Sequence, residues 1–131
     1  MKIILYENQT PVIVQGLEHL DKVISDATEE ARHEKSLSFI YLVSDNENEM
    51  GLVVGSDETV LGFDSGSKDP PYFASKGENE SEEPVMTCYL YFEHHTEFPR
   101  KYVIPFIDGL KAVHEFYLTG NLPKCVDWIK L

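Results

Sequence analysis

The stretch from Pro105 to Trp128 constrains the fold more than any other part of the chain. Pro105 suits the first position of a helix, where its missing N–H removes no hydrogen bond. It also pushes Ile104 toward extended geometry. Apolar side chains recur at Phe106, Leu110, Val113 and Tyr117, with Ala112 and Phe116 beside them. That is the spacing of one helical face. Gly120 can take the positive φ that ends a helix, and Pro123 blocks continuation. Cys125-Val126-Asp127-Trp128-Ile129 then alternates like a strand and carries the only tryptophan. A helix bounded at both ends, running into a terminal strand, is the expectation.

The preceding residues read mainly as strands. Lys2 to Tyr6 and Val12-Ile13-Val14 are short extended pieces. Leu17, Leu20, Val23, Ile24, Ala27 and Ala31 then follow helical spacing, with an end expected between His33 and Lys35. Leu37–Val43, Met50–Val54 and Thr59–Phe63 form a meander, joined by turn chemistry at Asp45–Asn48 and Gly55–Glu58. Gly62 marks a bulge or a close backbone approach. Tyr72-Phe73-Ala74 is a further short strand. Val85–Phe92 is apolar on both faces, which predicts a central strand, and His94-His95-Thr96 predicts a turn. The fold class is α+β: a twisted, mostly antiparallel sheet of five to seven strands, with one early and one C-terminal helix on one face. The 131 residues suffice for one domain spanning 1–131.

Charge narrows the choice of partner. Asp and Glu number 23 against 11 Lys and Arg, a net charge of −12. Such a field repels nucleic acid and anionic lipid and attracts basic proteins. No apolar run is long enough to span a membrane. The N-terminus lacks the long apolar region of a secretory signal, so a cytoplasmic protein is expected. Between Asp45 and Glu83 stand eleven acids and only two bases, Lys68 and Lys76. The candidate contact residues are therefore Asp45, Glu47, Glu49, Asp57, Glu58, Asp64, Asp69 and Glu78. Tyr72 and Phe73, set between these loops, are candidate aromatic anchors. The competing reading makes the acids solubilising and the aromatics core. The eight residues from Lys76 to Glu83 include no apolar side chain, so they form a solvated loop.

Nothing local argues for catalysis. In Glu93-His94-His95-Thr96-Glu97 the histidines are adjacent, without the i, i+4 spacing that lets two share an ion. Cys88 lies mid-strand among aromatics, where burial suppresses the thiolate. Both Cys88 and Cys125 are expected to be reduced core residues. No glycine-rich loop precedes a helix, so no phosphate cradle is indicated. No cofactor or metal is expected. These residues leave open a generic acidic protein–protein interaction domain, or a small metal- or cysteine-dependent hydrolase using Cys88, His94 or His95.

The closing stretch also carries a resemblance. Glu97-Phe98-Pro99, then Ile104-Pro105, a helix ending Glu115-Phe116-Tyr117-Leu118-Thr119-Gly120, Leu122-Pro123 and Val126-Asp127-Trp128 resemble the bacterial polymorphic-toxin immunity proteins called immunity protein family one. Met50-Gly51-Leu52-Val53-Val54-Gly55 and Leu61-Gly62-Phe63 resemble that family's glycine-punctuated strands. The resemblance implies a non-enzymatic inhibitor of a cognate secreted toxin, often a nucleic-acid deaminase. A toxin that handles polynucleotide tends to be basic, and an acidic inhibitor can dock on its cleft.

Overall fold

The structure, a computed structural model, describes residues 1–5, 10–91 and 94–131. In chain order the elements are β1 (Lys2–Ile4), β2 (Val12–Ile13), α1 (Leu17–Glu34), β3 (Leu37–Val43), β4 (Glu49–Val54), β5 (Glu58–Thr59), β6 (Leu61–Asp64) and β7 (Phe73–Ser75). They continue with β8 (Pro84–Tyr91), β9 (His94–Pro99), a 3-10 turn (Arg100–Tyr102), β10 (Ile104–Pro105), α2 (Phe106–Thr119) and β11 (Trp128–Lys130). The main sheet runs β11-β7-β6-β4-β3-β1-β2, with the β8–β9 hairpin joined to β3. Every pairing is antiparallel except the two-residue ladder of Leu37 and Ser38 with Cys88 and Tyr89. The α+β fold with an early and a late helix is as expected.

Among the described residues the main sheet has nine strands against the five to seven expected, and three segments differ from their expected form. Thr59–Phe63 splits at Val60 into β5 and β6, so the first part leaves the sheet and pairs with β10. His94-His95-Thr96 begins a strand instead of making a turn. The last strand is shorter than its alternation predicted. Only Trp128–Lys130 pairs with β7, while Cys125 and Val126 lie in bends. Tyr6 and Phe92, the ends of two expected strands, lie outside the described residues.

Both helices obey their local chemistry. α1 buries Leu20, Ile24, Thr28 and Ala31 along one face, and Lys35 ends it in the left-handed conformation. α2 buries Ala112, Val113 and Phe116. Pro105 sits just before its first residue instead of within it, and the Phe106 N–H donates to the Asp57 carbonyl at 2.8 Å. Gly120 has φ of 70°, and its N–H donates to the Phe116 carbonyl at 2.7 Å. A side chain there would pay the left-handed penalty and meet Ser44 Oγ at 2.6 Å.

The helices cover one sheet face. Ile40, Leu42, Met50, Leu52, Leu61 and Phe63 form a core with Leu20, Ile24 and Phe116. The Phe63 ring meets Phe116, Phe73 and Trp128 edge-on, at 6.1, 6.4 and 6.5 Å. Trp128 satisfies its indole N–H on the Pro123 carbonyl at 2.7 Å. On the opposite face Met86 and Cys88 of β8 pack against Val53, Val60 and Val103, with Phe39, Phe98 and Tyr102 beside them. This second layer covers only part of that face.

Candidate functional site

The strand β4 sorts the candidate acids into two groups. Its first residue, Glu49, pairs in register with Asp64, and the turn before it carries Asp45 and Glu47. Asp57 and Glu58 follow its far end. Five residue steps separate Glu49 from Val54, roughly 17 Å at the rise of a strand. The acids therefore do not merge into one face.

In the first group, Asp45 is 96 % exposed yet bonds the N-terminal amine at 3.0 Å. Lys68 Nζ bonds Glu49 Oε2 at 2.5 Å, and Glu47, Glu49 and Asp64 all act on its charge. Burial, and after it the charge of Glu49, holds the Asp64 carboxyl above the ordinary carboxylate range, with Lys68 opposing. Asp69 is exposed in the loop beyond. In the second group, Asp57 pairs with Arg32 at 3.1 Å and Glu58 with Arg100 at 2.9 Å. Glu58 and the exposed Glu78 line a cleft with Lys76, Arg100, Asp108 and Asp127. Four of the eight candidate acids thus already carry a cationic partner from their own chain.

The two loops are fixed by hydrogen bonds. Asn46 Nδ2 and Asn48 Nδ2 both donate to the Gly120 carbonyl, at 3.0 and 2.7 Å. Asn48 Oδ1 also accepts from the Gly66 N–H at 2.9 Å. The end of α2 therefore holds the 45–48 turn and the 65–67 turn together. The acidic segment from Lys76 to Glu83 has no regular structure, but its backbone is pinned. Gly77 N–H donates to the Lys101 carbonyl at 2.7 Å, and Lys101 N–H to the Ser81 carbonyl at 3.0 Å.

Tyr72 and Phe73 part company. Phe73 is half-buried and its ring meets Phe63 in the helix-side core. Adjacent residues of extended chain point to opposite sides, and Tyr72 is exposed, its hydroxyl donating to the Lys68 carbonyl at 2.7 Å.

Beside Tyr72 lies a groove. Tyr41, Gly51, Gly62 and Ala74 stand in one cross-strand row over β3, β4, β6 and β7. The two glycines lack side chains that would fill the space between the aromatic neighbours. The Phe39 ring lies so close over Gly51 that a Cβ there would collide with it. The ladder from Glu49–Asp64 to Leu52–Leu61 is unbroken, so Gly62 is not a bulge. Nor is it a close backbone approach, since a Cβ there would lie 3.7 Å from Phe39 and 4.0 Å from the Phe73 carbonyl, both ordinary contacts; the close approach is that of the Phe39 ring to Gly51. The groove measures about 250 Å³ and is walled by Phe39, Tyr41, Tyr72, Phe98 and Tyr102, with Glu49 and Asp64 at its rim.

Cys88 is fully buried, and burial pushes its thiol up to about 12, far from a nucleophilic thiolate. Cys125 is exposed instead of core. Burial of its sulfur, then Glu115, raises its thiol too. Among the described residues no three His, Cys, Asp or Glu are grouped to hold a metal ion. No helix among them is long and apolar enough to cross a membrane.

No curated protein matches the chain. A family model does: that of immunity protein Imm1, across residues 8–130.

Proposed function

The chain belongs to the Imm1 family of immunity proteins, and from that premise we propose that it neutralises a cognate toxin by binding, its acidic surface seated on a basic cleft. The toxin class that suits this chemistry is one acting on nucleic acid, a deaminase-type domain among them. Such a domain must present cations to phosphate. A protein with a net charge of −12 competes for the same cations and excludes the substrate. The inhibitor acts in the cytoplasm of the cell that makes it, without catalysis and without a cofactor.

The single observation that supports this reading best is the arrangement of the first acidic group. Asp45, Glu47, Glu49 and Asp64 gather at one end of the sheet, with Asp69 next to Lys68 in the chain, against three cations: Lys68, Lys2 and the N-terminal amine. That end retains a net negative field after its internal pairing. Opposite charge across an interface speeds encounter and fixes orientation.

The test uses the toxic domain encoded in the neighbouring reading frame. Its activity on polynucleotide and the growth of cells expressing it are measured with and without this protein. Inhibition with an association rate that falls as salt rises is the expected result. Neutralising Asp57, Glu58, Asp64 and Asp69 together should weaken binding and protection. Unchanged affinity and protection in that quadruple variant would sink the acidic-surface mechanism.

A further inference from the structure

We propose that the glycine-floored groove on the outer sheet face is a receptor for one arginine side chain of the partner. This rests on the immunity reading, and it names a site that charge alone does not reveal. Four features carry it.

The first is shape. Gly51 and Gly62 stand side by side in register; the Phe39 ring covers Gly51, and the floor at Gly62 is bare backbone. The volume of about 250 Å³ lies below the roughly 300–1,000 Å³ of pockets that enclose drug-sized molecules. It fits one long side chain better than a substrate.

The second is the wall chemistry. Phe39 packs against Tyr41 at 5.1 Å and edge-on to Phe98 at 5.6 Å, which holds these rings in place. With Tyr72 and Tyr102 they offer π faces. A planar guanidinium stacks on such faces and loses less hydration than an ammonium does.

The third is the rim. Glu49 is ion-paired to Lys68, but the Asp64 carboxylate has no hydrogen-bond donor among the described residues. It is partly desolvated and repelled by Glu49. An incoming cation would relieve both costs at once. Arginine can reach Asp64 with a two-pronged hydrogen bond while its stem lies along the rings.

The fourth is the behaviour of the chain's own cations. Lys68 Nζ has settled on Glu49, and Lys101 Nζ lies 5.2 Å from the centroid of the Tyr102 ring. The rim acid therefore already holds a cation, and Lys101, ion-paired to Glu82 at 2.6 Å, rests beside a wall ring.

The experiment measures affinity for the cognate toxin domain by calorimetry, with thermal melting as the control for folding. Gly62→Val should fill the groove without unfolding the protein. A Cβ at Gly62 has ordinary 3.7 Å contact with Phe39, and β-branched residues suit a strand. Affinity should fall about tenfold or more, as for loss of an anchoring contact. Asp64→Asn, which leaves the groove open, should weaken binding and flatten its salt dependence. In a double-mutant cycle Asp64→Asn should couple to one toxin arginine and not to the others.

If both variants fold and bind as the unaltered protein does, the groove is not the receptor, while the immunity reading stands. If affinity falls but no toxin arginine couples to Asp64, the arginine assignment is overturned. If the unaltered protein neither binds nor neutralises the toxin domain, the immunity reading fails and this inference with it. Should Gly62→Val melt early, Asp64→Asn and its cycle still decide the question.

Discussion

The two faces of the sheet are built from the same strands and differ in almost every physical respect. The helix face is filled with large side chains: Leu42, Met50, Leu52 and Leu61 are fully buried, and Phe63 meets three rings. The outer face alternates crowded and bare. Val53 and Val60 lie under the β8–β9 hairpin and Gly51 under the Phe39 ring, while Gly62 lies partly open between aromatic walls. Glycine inside a strand weakens it by conformational entropy and offers nothing to pack. A face designed only for stability would hold branched residues there. If the groove receives a partner, stability and recognition are divided between two sides of a sheet a single residue thick.

That division can be broken by experiment, beginning on the helix face. Phe116→Ala removes a fully buried ring from the helix-side core and should cost about 3–5 kcal/mol in a denaturant melt. A loss near zero would mean that α2 does not anchor the sheet. On the outer face, Gly51→Ala forces a Cβ into the Phe39 ring and should cost about 1–3 kcal/mol by overpacking. Phe39→Leu in the same chain should recover part of that loss, and simple additivity would show that the contact is not the cause.

Asp64→Asn should move stability the other way. The folded chain holds this carboxyl above its ordinary value. Its ionised form therefore opposes folding at neutral pH. The penalty fades as pH falls through the raised value and is absent below the unfolded one. The variant should melt at a higher temperature near pH 7, with the gain shrinking toward acid. A gain that grew on acidification would contradict the assignment. The smallest effect belongs to Asp57→Asn. Its carboxylate is 98 % exposed and paired only with Arg32 at the surface, so thermal melting should not move measurably.

What could be read from the chain in advance was local. The apolar period of α1, the Pro105 and Gly120 boundaries of α2 and the strands Leu37–Val43 and Met50–Val54 depend on neighbours within a turn or two. The α+β class followed from them. The rest depends on register between distant segments. The parallel contact of β3 with β8 joins Leu37 to Cys88, and nothing near either residue announces it. Asp57 and Glu58 looked continuous with Asp45–Glu49, yet a strand set between them places them at the other end of the sheet. Cys125 looked like core because it sits in an alternating run, but that run pairs only from Trp128 onward. One signal of the groove was present. Met50-Gly51-Leu52 and Leu61-Gly62-Phe63 each set a glycine between two large apolar residues. If the flanking pair faces a core, the glycine must face away, and two such strands side by side leave a furrow.

The asparagine clasp on Gly120 has a consequence for how such a protein can change. Asn46 and Asn48 turn inward to the helix end, while Asp45 and Glu47 lie between and beside them in the same turn. Holding and facing outward are thereby assigned to alternate positions of one short loop. Position 45 can be rewritten while the inward pair keeps the loop's shape, whereas position 47, at a φ of 70°, carries a left-handed penalty for most side chains. Expression libraries randomised at 45 should retain folded members in high proportion, those randomised at 47 fewer, and those randomised at 46 and 48 fewest.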